Sequence, residues 1–202
     1  MIKLYEIALS GNCHKVRMLL SMLGIPYESV AVNLAAGEHL EPDFLALSPF
    51  GEVPALVDGD VVVRDSNAIL VYLASRYGGE QWWPQAPVLQ ARIASWLSTA
   101  ANEIAAGPNS LRLHHKWGRE IDVVRAEKVS AKTLRILDAQ LSNSPWLIGD
   151  RFSIADLAIY PYVALAPEGR VDLESHKPIL RWITDLRGLP AYTGMPGMWS
   201  CA

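Results

Sequence analysis

Val16, Leu19, Leu20 and Leu23 recur at i, i+3, i+4 and i+7, the apolar stripe of an amphipathic helix. Gly24 follows at the place where a left-handed stop residue is favoured. Residues 1–7 in front read as a short strand ending near Glu6. Residues 27–32 alternate, carry valines and predict a second strand. Two strands with a helix between them make a β-α-β unit, expected to cross over right-handed. Residues 33–50 are polar, punctuated by Gly37, Pro42 and Pro49, with room for one short helix around 41–47. The runs 51–57 and 60–63 flank Asp58-Gly59, the strongest short hairpin signal. A helix starting at residues 64–67 then sets Ile69, Tyr72 and Leu73 on one face and stops at Gly78-Gly79.

The pattern changes after that. Residues 80–87, with Pro84 and Pro87, have the composition of a linker, and no strand pattern follows. Ile93, Trp96, Leu97, Ala100, Ala101 and Ile104 form a long helical stripe that is expected to break at Gly107-Pro108. A shorter helical segment covers 109–117, another helix 120–141 through Leu134, Leu137 and Leu141, and 145–150 is an apolar loop. Ser153-Ile154-Ala155-Asp156 is a capping box before an apolar run to about Leu165. Such a box satisfies helix-start donors, so Asp156 is expected to be structural. Ile179, Trp182, Ile183 and Leu186 mark a last helix, and the Gly- and Pro-rich tail from Gly188 is expected on the surface. The chain therefore divides into an α/β unit over 1–79, a linker over 80–87 and an all-helical unit over 88–202.

Half of the 202 residues are hydrophobic and the formal net charge is −3. That predicts a folded globular protein and gives no basic footprint for nucleic acid. No apolar run approaches a membrane span, and Met1 opens directly into a strand, so a cytoplasmic soluble protein is expected. The two cysteines, Cys13 and Cys201, make neither a disulfide framework nor a dithiol motif. His14, His39, His114, His115 and His176 lack metal-ligand spacing. There is no phosphate loop and no dinucleotide fingerprint.

Three places carry candidate chemistry. Ser10, Gly11, Asn12 and Cys13 form a polar loop between strand and helix. Unpaired N–H groups and the positive helix end meet there, a setting that stabilises a phosphate, a carboxylate or a thiolate. Equally, Ser10 or Asn12 can be a plain cap. Val53-Pro54 opens the hairpin, either as an edge-strand proline or as a cis bond that turns the Val53 backbone outward toward an extended peptide. Asp65 and Ser66 stand at a helix start. They are ordinary caps or a pair for the carboxylate and ammonium of an amino acid.

The order of these pieces is specific. Together with Gly37-Glu38-His39, Ser48-Pro49-Phe50-Gly51, Trp146-Leu147-Ile148-Gly149 and the Ser153 to Asp156 box, it resembles the cytosolic glutathione S-transferase family, bacterial type with a serine/asparagine active-site loop, across nearly the whole chain. The resemblance implies a thioredoxin-like, glutathione-binding N-terminal domain and an all-α C-terminal domain lining an electrophile pocket. It also implies a homodimer, with the first long helix near the two-fold axis. Glutathione is then the co-substrate, no metal is needed, and the partner is a small hydrophobic electrophile. Val53 with Pro54 would pair with the cysteinyl backbone, Asp65 and Ser66 with the γ-glutamyl end, and His39 with the glycyl carboxylate. Ser10 matches the serine-type catalytic position and Asn12 the assisting one; Cys13 lies one residue further on. Asn102, Glu103, Arg112, His115 and Trp117 are the expected pocket residues.

The implied activity is glutathione transfer in detoxification. A thiol near pKa 8.5 reacts as its thiolate, and a hydroxyl or amide donor at a helix N-terminus lowers that pKa. Other readings of the same fold are a glutathione-dependent thiol or peroxide reductase using Cys13, an isomerase or dehalogenase, and a non-catalytic binding module.

Overall fold

The computed structural model describes residues 1–199; Cys201 lies outside them. Four strands, β1 (Ile2–Glu6), β2 (Tyr27–Ala31), β3 (Ala55–Asp58) and β4 (Val61–Arg64), form one sheet in the order β2-β1-β3-β4. β1 runs parallel to β2, with Ile2 opposite Tyr27, and antiparallel to β3, with Tyr5 opposite Ala55. Helices α1 (Gly11–Met22), α2 (Pro42–Leu47) and α3 (Ser66–Leu73) complete this half. It is the thioredoxin-like domain that the resemblance implies. Val16, Leu19 and Leu20 are wholly buried, so the stripe found in the sequence is the core face of α1. Each such side chain contributes about 1.5–3 kcal/mol by leaving water.

The second half is all-helical. It holds α5 (Pro87–Thr99), α6 (Ser110–Trp117), α7 (Val123–Ser142), α8 (Ile154–Ala164) and α9 (Lys177–Arg187), after a short α4 (Gly79–Trp82). Every residue of α8 is buried. Its capping box is present, and Asp156 accepts from Leu147 N, Trp182 Nε1 and Ser153 N, each at 3.0 Å. α8 packs against α1 on one side and α5 on the other, so it joins the two halves.

Four local expectations need correction. The first helix starts at Gly11, which puts Asn12 and Cys13 in its first turn rather than in a loop. The hairpin turn is Gly59-Asp60, because Asp58 pairs with Val61; Gly59 takes φ +59°, the first-position glycine of a II′ turn. Residues 79–82 are helical, with Trp82 buried against Phe152, so the linker composition hides a packed turn. Gly107-Pro108 does not break the long helix. A π-helical stretch, Ala100–Asn109, runs through it, with Ser110 N–H reaching back to Ala105 O. The widened turns accommodate Pro108, which has no N–H to give. The tail from Gly188 lies on the surface as expected, with no buried residue over 188–199, and it is tied down there: Tyr192 bonds Tyr160 through their hydroxyls at 2.7 Å, and Trp199 N–H donates to Ala164 O at 2.6 Å.

Candidate active site

The site starts at the loop between β1 and α1. Ser10 is the N-cap of α1 with extended backbone, φ −85° and ψ 123°, and its Oγ accepts from Cys13 N–H at 3.2 Å. That bond uses a lone pair and leaves the hydroxyl proton free to donate. The preceding carbonyls are held from two sides. Arg17 donates to Ala8 O at 2.9 Å and Ile7 O at 3.4 Å, and pairs with the buried Glu6. Arg112, from the helical half, donates to Leu9 O at 3.1 Å. Arg112 is itself tied to Glu168 at 2.6 Å, and Lys116 holds the other oxygen of that carboxylate.

Cys13 has no exposed surface. Burial pushes its thiol pKa up, against smaller opposing pulls from the Ser10 hydroxyl and the Ile7 backbone. A thiol so placed is protonated at neutral pH and unreactive.

Val53-Pro54 is cis. Val53 stands just outside the ladder, which begins at Ala55, and its backbone has no partner among the described residues. Asp65 caps α3: Oδ1 accepts from Asn67 N at 2.9 Å and Ala68 N at 3.0 Å. Its backbone sits at φ +67° and ψ 126°, a conformation that costs an aspartate about 1–3 kcal/mol and that clusters at ligand sites. Asp65 is exposed; Ser66 beside it is buried, and its hydroxyl has no protein partner among the described residues. His39 lies in the one-turn 3₁₀ helix Glu38–Leu40, packed on Gly51, with Nδ1 buried and unpartnered among the described residues.

A cleft of about 530 Å³ opens beside Ser10. Leu9 and Leu34 line it from the α/β half; Leu113, Arg112, Trp117 and Tyr162 line it from the helical half. Its walls are mainly apolar, as a site for a small organic molecule requires. Of the five predicted pocket residues, Arg112 and Trp117 are in the cleft, stacked with 4.6 Å between Cζ and ring centroid. The other three are elsewhere. Asn102 is exposed and donates to Ser98 O at 2.9 Å. Glu103 borders a groove with Trp96 and Lys132, and His115 one with Arg170 and His176. The widened π turns rotate residue 102 off the cleft face set by Asn109 and Leu113, residue 103 lies on another side of the same helix, and His115 falls two residues past Leu113, on another side of α6.

Tyr162 lines the cleft next to Ser10 and is the cleft residue that sequence reasoning missed. It sits in the unbroken apolar run of α8, where no polar face marks an orientation. Its ring packs on Gly11, where an added Cβ would stand 2.8 Å from Tyr162 Cε1. Only glycine permits that approach. Its hydroxyl stands beside the Asn12 backbone N–H and the Ser10 hydroxyl; burial pushes its pKa up, against smaller downward pulls from these two groups. Among the described residues no group of three His, Cys, Asp or Glu side chains can hold a metal, and no helix is long and apolar enough to cross a membrane.

Comparison with known proteins gives two family matches: "Glutathione S-transferase, N-terminal domain" over residues 4–81 and "Glutathione S-transferase, C-terminal domain" over 103–190. The chain is 35% identical to Glutathione S-transferase 3 of Zea mays, covering 95% of this chain and 91% of that one. It is 31% identical to Disulfide-bond oxidoreductase YfcG of Escherichia coli K12, covering 95% and 92%. A glutathione transferase family member from Pseudomonas fluorescens Pf-5, solved with two glutathione bound, superposes with a TM-score of 0.84 at 26% identity, covering 94% of this chain and 89% of that one.

Proposed function

The chain belongs to the cytosolic glutathione S-transferase family, and on that premise we propose that it activates the thiol of glutathione for attack on a small hydrophobic electrophile. One observation carries the reading: Ser10 caps α1 through a lone pair, and its free hydroxyl proton borders the apolar cleft. The hydroxyl donates to the sulfur, is not itself a nucleophile, and lowers the thiol pKa together with the positive end of α1. A hydrogen bond to a charged group contributes about 1.5–3 kcal/mol. Asn12, in the first turn, assists as a second donor.

The unpaired backbone of Val53, beside Pro54, takes the cysteinyl portion of the peptide. The Ser66 hydroxyl takes the γ-glutamyl carboxylate, and the free oxygen of Asp65 its ammonium. His39 takes the glycyl carboxylate. Calorimetric titration with glutathione, followed by conjugation assays on a panel of electrophiles, tests this; a protein that binds no glutathione contradicts it.

The likeness to a disulfide-bond oxidoreductase favours one second reading. The same thiolate attacks a disulfide sulfur, a mixed disulfide forms, and the other thiolate leaves with the electron pair. The buried Cys13 argues against its being the attacking group. The working unit is a homodimer, with α5 near the two-fold axis, where Arg92, Ala94, Ser95 and Ser98 are exposed in the single chain. Light scattering at micromolar concentration should give twice the 22.2 kDa chain mass; a monomer contradicts it.

A further inference from the structure

We propose that Tyr162 is a catalytic residue of the same reaction, a second hydroxyl donor to the glutathione sulfur, supplied by the helical domain. The inference rests on the thiolate-activation reading above and adds a group that the reading does not contain. Tyr162 lines the cleft next to Ser10 and is 8% exposed. Its ring is fixed against the backbone of Gly11, between Ser10 and Asn12. The hydroxyl therefore lies at the N-terminus of α1, beside the Asn12 backbone N–H and the Ser10 hydroxyl. A sulfur resting on that terminus meets the Ser10 hydroxyl from one domain and the Tyr162 hydroxyl from the other.

The support is rigid, which is what a preorganised donor needs. α8 is buried along its whole length and anchored by the Ser153 and Asp156 capping box. The loop before α1 is held by the bond from Arg112 to Leu9 O. Burial keeps the phenol protonated, so it can donate at neutral pH. In the reaction the glutathione thiol gives its proton to solvent. The thiolate then forms the C–S bond, and the electron pair of the breaking bond departs with the leaving group. Both hydroxyls keep their protons throughout.

The test compares wild type, Tyr162→Phe, Ser10→Ala and the double variant. The readouts are the pKa of bound glutathione, followed by thiolate absorbance, and kcat and KM for conjugation. Phenylalanine keeps the ring on Gly11 and removes only the hydroxyl. Tyr162→Phe should raise the bound thiol pKa and lower kcat about tenfold, with KM for glutathione unchanged. The double variant should lose more than either single one. If the wild type lowers the thiol pKa and Tyr162→Phe lowers it equally, this inference is overturned and the thiolate-activation reading stands. If the wild type itself does not lower the thiol pKa, both fall together.

Discussion

Lys15 Nζ donates to Asn67 Oδ1 at 2.6 Å, and Asn67 Nδ2 in turn donates to Leu97 O at 2.9 Å. One buried ammonium thus ties α1 to the start of α3 and, through Asn67, to α5. Lys15 is 2% exposed. Burial pushes its pKa down to about 7, against the upward pull of Asp65. In the unfolded chain it titrates near 10.4. Below about pH 7 both states hold the proton, and the folded state bears the whole cost of burying the charge. Between about 7 and 10.4 the unfolded chain keeps a proton that the folded chain has released, so stability contributed at this site rises with pH. Lys15→Met should therefore shift Tm upward more at about pH 6 than at about pH 10. Equal shifts at the two pH values would contradict the assignment.

Asp65→Ala and Ser66→Ala should each raise KM for glutathione and leave kcat nearly unchanged. The contacts they remove exist before and during the reaction alike. Steady-state kinetics with glutathione as the varied substrate decides it; unchanged KM in both variants removes the γ-glutamyl assignment.

Asp156 should matter for stability and not for chemistry. It has no exposed surface, and Asp156→Ala leaves the Leu147, Trp182 and Ser153 donors buried without an acceptor. Each costs about 1–3 kcal/mol, so denaturant unfolding should show a loss of roughly 3 kcal/mol or more. The folded fraction should keep the wild-type KM for glutathione. A loss below about 1 kcal/mol would contradict the role.

The legible parts of the sequence were those with a local physical signature. The stripe of α1, the stop at Gly24, the Ser153 box and the short strands all follow from periodicity and caps. Asp65 and Ser66 were legible as a helix start, but the positive φ of Asp65 was not, since nothing in residue type demands it. The pocket was legible least. Proline normally ends a helix, so the π stretch around Pro108 was invisible, and with it the rotation that turns Asn102 away. Tyr162 was hidden for a related reason: on a helix buried all round, hydrophobic period carries no direction. Its mate Gly11 reads in the sequence as a loop glycine, whereas in the fold it admits a ring from the other domain.

The measurement that tests the central claim most directly is the pKa of glutathione bound to wild type, Ser10→Ala and Cys13→Ala, read by thiolate absorbance and paired with conjugation of a model electrophile. The wild type should bind glutathione with its thiol pKa below the free value. Ser10→Ala should raise that pKa and slow conjugation about tenfold for each 1.4 kcal/mol of hydrogen-bond energy lost. Cys13→Ala, which changes only a buried side chain, should leave both near wild type. The contrary result is a Ser10→Ala protein with wild-type thiol pKa and rate, together with a Cys13→Ala protein that has lost activity and a glutathione adduct on Cys13 of the wild type by mass spectrometry.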